Sequence, residues 1–284
     1  MSLAEDQIQK IELKADEIRK DVIKMLLSAG SGHAAGALGM ADVFATLYFS
    51  GILNWDPDNP WKEDRDRVIL SNGHICPAWY ATLCHTGAFS HQELDTLRKL
   101  GSKLQGHPHY KDLPGIENSG GPLGQGISQA VGQALGARID MARYRVYCLM
   151  SDAELQEGQT WEALQFAGNN RLHNLTVIID RNNIQIDGYT EQVMPVEPVL
   201  NKLMAFNWFV LEVNGNHVKE IYEGLERAKA IRERPTAIIA HTIPGKGVEF
   251  MEGNYKWHGI PPNKEQAVEA LKQLRSLWGK ISTE

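Results

Sequence analysis

Cysteine is scarce in this sequence. Only Cys76, Cys84 and Cys148 occur among 284 residues. Their spacing forms neither a CxxC pair nor another metal-binding pattern, which excludes a disulfide framework and a cysteine zinc site. They read as reduced, buried small residues. An excess of positive charge is also missing. Lys and Arg number 29 against 35 Asp and Glu, a net charge of -6 with a pI near 5.9. A nucleic-acid surface needs a basic face, and no Lys/Arg run supplies one. No apolar run approaches membrane-spanning length, and the N-terminus is a charged amphipathic segment rather than a signal peptide, so a cytoplasmic location is expected. Pro- or Ser-rich linkers are absent. Strand and helix patterns alternate throughout, and 43% of residues are hydrophobic. A single α/β domain over residues 1–284 is expected.

The chain is organised around residues 151–188. Two apolar segments, 146–150 and the β-branched 175–179, flank a helical run at 160–170. The first ends at Asp152, the second at Asp180, Asn182 and Asn183. In an open parallel sheet, ligands bind beyond the carboxyl ends of the strands, so Asp152 and Asn182 can face one site. A hard cation such as Mg2+ takes oxygen ligands and binds through one or two side chains plus phosphate oxygens. One carboxylate, one amide and a backbone carbonyl near Ile184 would leave room for two phosphate oxygens and a water. The plainer reading has Asp152 capping the following helix, with the Asn pair and Asp187-Gly188 forming turns. The pattern alone leaves both open.

Elsewhere, apolar residues at three- and four-residue intervals (Ile8, Ile11, Ala15, Ile18, Val22, Met25) predict a helix over 4–28. A run of small residues around His33 follows. Its backbone permits close approach, although a loop histidine is commonly only solvated. Further helices are expected at 41–49, 77–85, 91–100 (with Ser90 as N-cap), 125–142, 218–232 and 264–279. The last should bury Val268, Leu271, Leu274, Leu277 and Trp278. Strands are expected at 65–70, 207–213 and 236–242. His85 and His91 read as surface residues, Asn216 and His217 as capping and structural, and Lys246 as solvated. The Gly-rich stretch 120–126 entering a helix presents free N–H groups, a weak anion-site signal.

Five phrases carry more than this: SGHxxGxLGM at 31–40, LSNGH at 70–74, GHP at 106–108, GPLGQG at 121–126, and the acidic strand end followed by Asn-Asn-Ile-x-Ile-Asp-Gly. Together, in this order, they resemble the N-terminal, diphosphate-binding part of the transketolase family. The resemblance implies a twisted, mostly parallel sheet with helices on both faces, binding thiamine diphosphate and Mg2+, with Ca2+ or Mn2+ as substitutes. It implies that Asp152, Asn182 and the Ile184 carbonyl hold the metal, and that His74, His258 and Ala153 lie at the diphosphate. Gly121, Leu123 and Ile186 would contact the rest of the cofactor. His33 and His107 would face the reacting carbons as catalytic groups. Glu157 and Glu162 would lie at a subunit interface, although ordinary solvated helix acids explain them equally well.

Two departures stand out. The family's usual Gly-Asp-Gly is Ser151-Asp152-Ala153, where Ala permits close approach only if its φ stays negative. Pro244 also stands where many relatives have Lys. In the family, a pyrimidine-binding domain with a Glu that activates the cofactor, and a third domain, follow this part. The resemblance therefore implies the N-terminal subunit of a split transketolase, moving a two-carbon ketol unit from a ketose to an aldose. Its partner would be a C-terminal subunit carrying the pyrimidine-binding domain, in an α2β2 heterotetramer acting on sugars or sugar phosphates. The alternatives are the α subunit of a 2-oxoacid dehydrogenase first component and a non-catalytic regulatory subunit of the same fold.

Overall fold

The structure, a computed structural model, describes residues 3–281, with side chains described to residue 275. Five parallel strands form the central sheet: β1 (Arg67–Leu70), β2 (Val146–Ser151), β3 (Leu175–Arg181), β6 (Phe209–Asn214) and β7 (Thr236–His241), in the order β1-β2-β3-β7-β6. A small antiparallel hairpin, β4 (Ile184–Gln185) and β5 (Gly188–Tyr189), projects from the end of β3. The helices are α1 (Glu5–Ala29), α2 (Ala35–Gly39), α3 (Ala41–Phe49), α4 (Cys76–His85), α5 (Gln125–Ile139), α6 (Gly158–Asn169), α7 (Thr190–Val193), α8 (Val199–Ala205), α9 (Val218–Ala230) and α10 (Lys264–Ile281).

Alternation along each strand divides the core into two halves. Tyr147 and Leu149 of β2 and Ile178 of β3 face one half, with α1, α3, α4, α9 and α10 packed over them. Val146, Cys148, Met150, Val177 and Ile179 face the other, under α5, α6 and α8. Helices thus cover both faces of a parallel sheet, as the sequence implied. All three cysteines are free and buried. Among the described residues, no helix is long and apolar enough to cross a membrane.

The predicted stripe of α1 is buried at all six positions. Arg19 is buried with it, donating to the Leu38 carbonyl at 3.1 Å and pairing with Asp42 of α3. That pair ties α1 to the segment that carries His33. Asn216 is structural, though not by capping α9: its amide donates to the Gly39 carbonyl at 2.9 Å and to Asp42 at 2.7 Å, and its oxygen accepts from Ile243 N at 2.7 Å.

Three expectations need correction. Residues 91–100 do not make an α-helix; a 3-10 turn runs from His91 to Thr96, and Arg98 takes a φ of 59° so that its N–H reaches the Leu104 carbonyl at 2.8 Å. The apolar residues there, Leu94 and Leu97, anchor a loop instead. In α10 the buried stripe is Ala267, Ala270 and Leu274, while Val268 is 63% exposed. Leu277 and Trp278 lie outside the described side chains. His85 is largely buried rather than on the surface, and both it and the exposed His91 point at Asp21. The short α2, α7 and α8 and the β4–β5 hairpin carry too few residues for a period to show.

Parallel register places the strand ends side by side. Ser151 lies opposite Asp180, and Asp180 opposite Ala240. Asp152, Asn182 and Thr242 therefore emerge along one edge. The pose of α6 against the turn between α8 and β6 depends on Gly168, where an added Cβ would stand 1.8 Å from the carbonyl oxygen of Phe206, the residue that ends α8. Gly168→Ala should cost about 3 kcal/mol through overpacking, read as a lowered urea midpoint. An unchanged midpoint would contradict this packing.

Candidate active site

Asp152 is fully buried at the end of β2. Its Oδ2 accepts from Arg181 Nη1 at 2.6 Å, from Asn183 N at 2.9 Å and from Thr190 Oγ1 at 3.5 Å. Its Oδ1 is buried without a protein partner. Burial pushes this carboxyl upward, while Arg181 and the Asn183 N–H work to keep it ionised. Asn182 is held from both sides. Its Oδ1 accepts from Ile184 N at 3.0 Å, and its amide donates to Asp180 Oδ2 at 2.7 Å. Asp180 also takes the Thr242 hydroxyl, and burial pushes it up to about 7.

Asp152 makes no side-chain cap to the 3-10 turn Ala153–Gln156 that follows it. The capping explanation therefore fails for Asp152. The turn explanation holds in part, since Asn183 has a φ of 64° and Ile186-Asp187 joins the two strands of the hairpin. A hard divalent cation fits these residues: Asp152 Oδ1 is an unused carboxylate oxygen, and Asn182 Oδ1 keeps a second lone pair. Ala153 stays out of the left-handed region, which meets the condition that Ala in place of Gly imposes.

Beside this edge lies a group of imidazoles. The rings of His33 and His74 are 5.0 Å apart, as are those of His74 and His258, and His33 and His258 are 5.6 Å apart. His107 lines the same region, because a Cβ on Gly121 would lie 3.6 Å from its Cγ. Ile186 of the hairpin joins the two halves of the site. A Cβ on Gly259 would meet Ile186 Cδ1 at 3.4 Å and His33 Nε2 at 3.6 Å. The loops themselves touch, since a Cβ on Gly73 would come within 2.9 Å of Gly121 N. Any larger residue at 73 would separate the LSNGH and GPLGQG phrases. Buried polar atoms without protein partners converge here: Nδ1 of His33 and of His258, and both amide atoms of Asn72. Groups of this kind in a folded protein call for a ligand or water.

Burial pushes His33 down to about 4, with His258, Arg98 and His107 adding to the effect. Burial also lowers His74, His107 and His258. Four neutral imidazoles can each donate from one nitrogen and accept on the other, which suits anion binding and proton transfer.

Leu123 is half-buried, and its carbonyl accepts from Gln159 at 2.9 Å. Glu157 and Glu162 are exposed at the N-cap and in the body of α6, outside both clusters. Lys246 is half-buried rather than solvated.

Sequence reasoning missed two residues. Arg181 is the charge partner of Asp152 and also pairs with Glu191 and Glu197 at 2.8 and 2.9 Å. Glu154 is fully buried and collects three donors: Ser71 Oγ at 2.6 Å, Gly124 N at 2.8 Å and Ser151 N at 2.9 Å. It thereby ties the ends of β1 and β2 to the start of α5. An Arg closing an apolar strand, and a Glu between Ala and Leu, were the available signals.

Glu154→Gln should cost about 2 kcal/mol, because an amide nitrogen would face N–H and O–H donors. A chemical-denaturation midpoint equal to that of the wild type would refute this. His33 should remain neutral down to about pH 5 in NMR of its ring nitrogens, given its value near 4. Unfolded His33 takes up its proton near 6.5 and the folded one only near 4. In that window the unfolded state binds more protons, so stability falls as pH drops from 6.5 toward 4, and less so in His33→Asn. An NMR midpoint near 6.5 would contradict this environment.

The family described as transketolase, thiamine diphosphate binding domain, matches residues 11–280. The chain is 40% identical over 278 residues to an apulose-4-phosphate transketolase subunit of Phocaeicola vulgatus, covering 98% of each chain. It is 39% identical to the 6-deoxy-6-sulfo-D-fructose transketolase subunit SqwG of a Clostridium species, covering 96% of this chain and 98% of that one. Human transketolase is 35% identical, across 96% of this chain and 43% of the human protein. The crystal structure of Campylobacter jejuni transketolase superposes with a TM-score of 0.86 at 35% identity, covering 97% of this chain and 43% of that one. The chain spans under half the length of these two transketolases and nearly all of the two subunits. By sequence and by fold, it belongs to the transketolase family, in its thiamine diphosphate binding domain.

Proposed function

We propose that this chain is the N-terminal subunit of a split transketolase, transferring a two-carbon ketol unit from a ketose to an aldose. The observation that carries the reading is coverage: the chain matches relatives named as transketolase subunits along their whole length, and larger transketolases over less than half of theirs. A 2-oxoacid dehydrogenase subunit is not favoured by these relatives.

Thiamine diphosphate, when bound, supplies the nucleophilic carbon and the electron sink for carbon–carbon bond cleavage. The protein's part is to hold, orient and exchange protons. Asp152, through its free Oδ1, with Asn182 and the Ile184 carbonyl, would hold Mg2+ against the diphosphate. His74 and His258 would donate to the diphosphate, with the Ala153 backbone close by. Gly121, Leu123 and Ile186 would line the remainder of the cofactor. His33 and His107 would accept and return protons at the sugar's hydroxyl and carbonyl oxygens, a task for which neutral imidazoles are suited. The whole chain would act as one diphosphate-binding domain.

A C-terminal subunit would complete the site with the pyrimidine-binding domain. Exposed apolar residues beside the site support such a cover, with Ile186 63%, Tyr189 39%, Met194 55% and Ile260 52% accessible. Glu157 and Glu162, exposed on α6, would meet a second copy in an α2β2 heterotetramer. Substrates would be sugars or sugar phosphates.

The test is reconstitution. Alone, the chain should show ketol transfer at least about 100-fold below that of the mixture with its partner subunit, the lower range of what one acid–base group contributes. Asp152→Asn in the mixture should raise the Mg2+ concentration needed for half activity. Full cofactor-dependent transfer by the chain alone would overturn the proposal.

A further inference from the structure

Away from the strand ends, Asp21 of α1, His85 at the end of α4 and His91 at the start of the next 3-10 turn form a separate cluster. Both imidazoles bring Nε2 to 2.9 Å from the same oxygen, Oδ2 of Asp21. One ligand atom from each residue lies within 4.8 Å of the other two. The three come from distant stretches of chain, with 64 and 70 positions separating Asp21 from the histidines. The cluster has a buried floor and an open mouth: side-chain exposure is 5% at Asp21, 15% at His85 and 60% at His91.

We propose that this cluster binds a divalent transition-metal ion of the zinc type through Asp21 Oδ2, His85 Nε2 and His91 Nε2, independently of the cofactor site. Two imidazoles with one carboxylate suit Zn2+ or Co2+, whereas Mg2+ and Ca2+ require oxygen ligands. Three protein ligands leave a fourth position for water, on the side where His91 is open.

Each neutral imidazole would bind through the Nε2 lone pair and carry its proton on Nδ1. For His85 an acceptor is at hand, since Glu17 Oε2 lies 3.7 Å from Nδ1. A carboxylate behind a ligating histidine fixes its tautomer and raises its basicity. Lys14 now sits 3.4 Å from the same Nδ1 and pairs with Glu17, so it would swing outward on metal binding. Lys24 holds the other Asp21 oxygen at 3.1 Å, leaving Oδ2 for the ion.

Occupancy would pin α1, α4 and the 3-10 turn together. That turn leads directly to Arg98, whose guanidinium would meet a Cβ on Gly106 at 2.7 Å and one on Gly32 at 3.8 Å. Gly32 and Gly106 precede His33 and His107, so the ion would stiffen the loop beside the proposed substrate-facing histidines.

The experiment titrates Zn2+ against a chromogenic chelator, and Co2+ by visible absorption, using the purified full chain without thiamine diphosphate. His33, His74 and His258 form a second imidazole group, so the comparison of wild type with His91→Asn carries the test. His91 is exposed, and the variant should keep its circular dichroism. The wild type should bind one more equivalent of Zn2+ than His91→Asn, or bind its tightest equivalent at least about tenfold more strongly. Zinc should raise the Tm of the wild type and not that of the variant. His85→Asn should behave like His91→Asn. Equal zinc uptake and equal Tm shifts in wild type and variants, or no uptake by the wild type, would overturn the proposal.

Discussion

A single buried carboxylate governs the organisation of the site. Asp152 leaves water entirely, and such a group persists as an ion only when paired and hydrogen-bonded. Arg181, one strand over, supplies the charge, and the Asn183 N–H supplies a second bond to the same oxygen. A buried pair of this kind contributes little net stability, because desolvation offsets its attraction. Its consequence is geometric. With Oδ2 committed to Arg181, Oδ1 is turned away and left unpartnered.

The parallel sheet makes that arrangement possible. Pairing of Ser151 with Asp180 puts the ends of β2 and β3 level, and Asp180 with Ala240 brings Thr242 alongside. Asp180 then holds the Asn182 amide, and Asn182 in turn orients Ile184 at the start of the hairpin. Ile186, at the hairpin's tip, reaches the neighbourhood of His33 and Gly259. A chain of short contacts therefore connects the acidic strand ends to the imidazole group. Glu154 does the same work on the other flank, binding Ser71, Ser151 and the start of α5.

Much of this was legible in the residues. The stripe of α1 and the strands around Cys148 and Ile178 follow from periodicity, because a long helix or a buried strand repeats its pattern often enough to be read. His33, His74, His107 and His258 come together in the fold, and nothing in their spacing alone required it. What was not legible depended on tertiary partners. Arg181 looks like an ordinary strand-end cation until Asp152 is seen beneath it. Glu154 reads as a helix former, and only the fold shows its three donors. Leu94, Leu97 and Leu100 stand at helical spacing across 91–100, yet Arg98 bends the chain to reach Leu104. His85 and His91 resemble solvated residues in sequence, and only packing against α1 gives them a shared carboxylate.

The most direct measurement is a crystal structure of this chain with its partner subunit, thiamine diphosphate and Mn2+, using anomalous scattering to locate the ion. The account predicts an anomalous peak bonded to Asp152 Oδ1 and Asn182 Oδ1 in each copy of this chain, with Arg181 still on Oδ2. No peak at these two oxygens, or an Asp152 whose two oxygens both remain on protein donors, would contradict it.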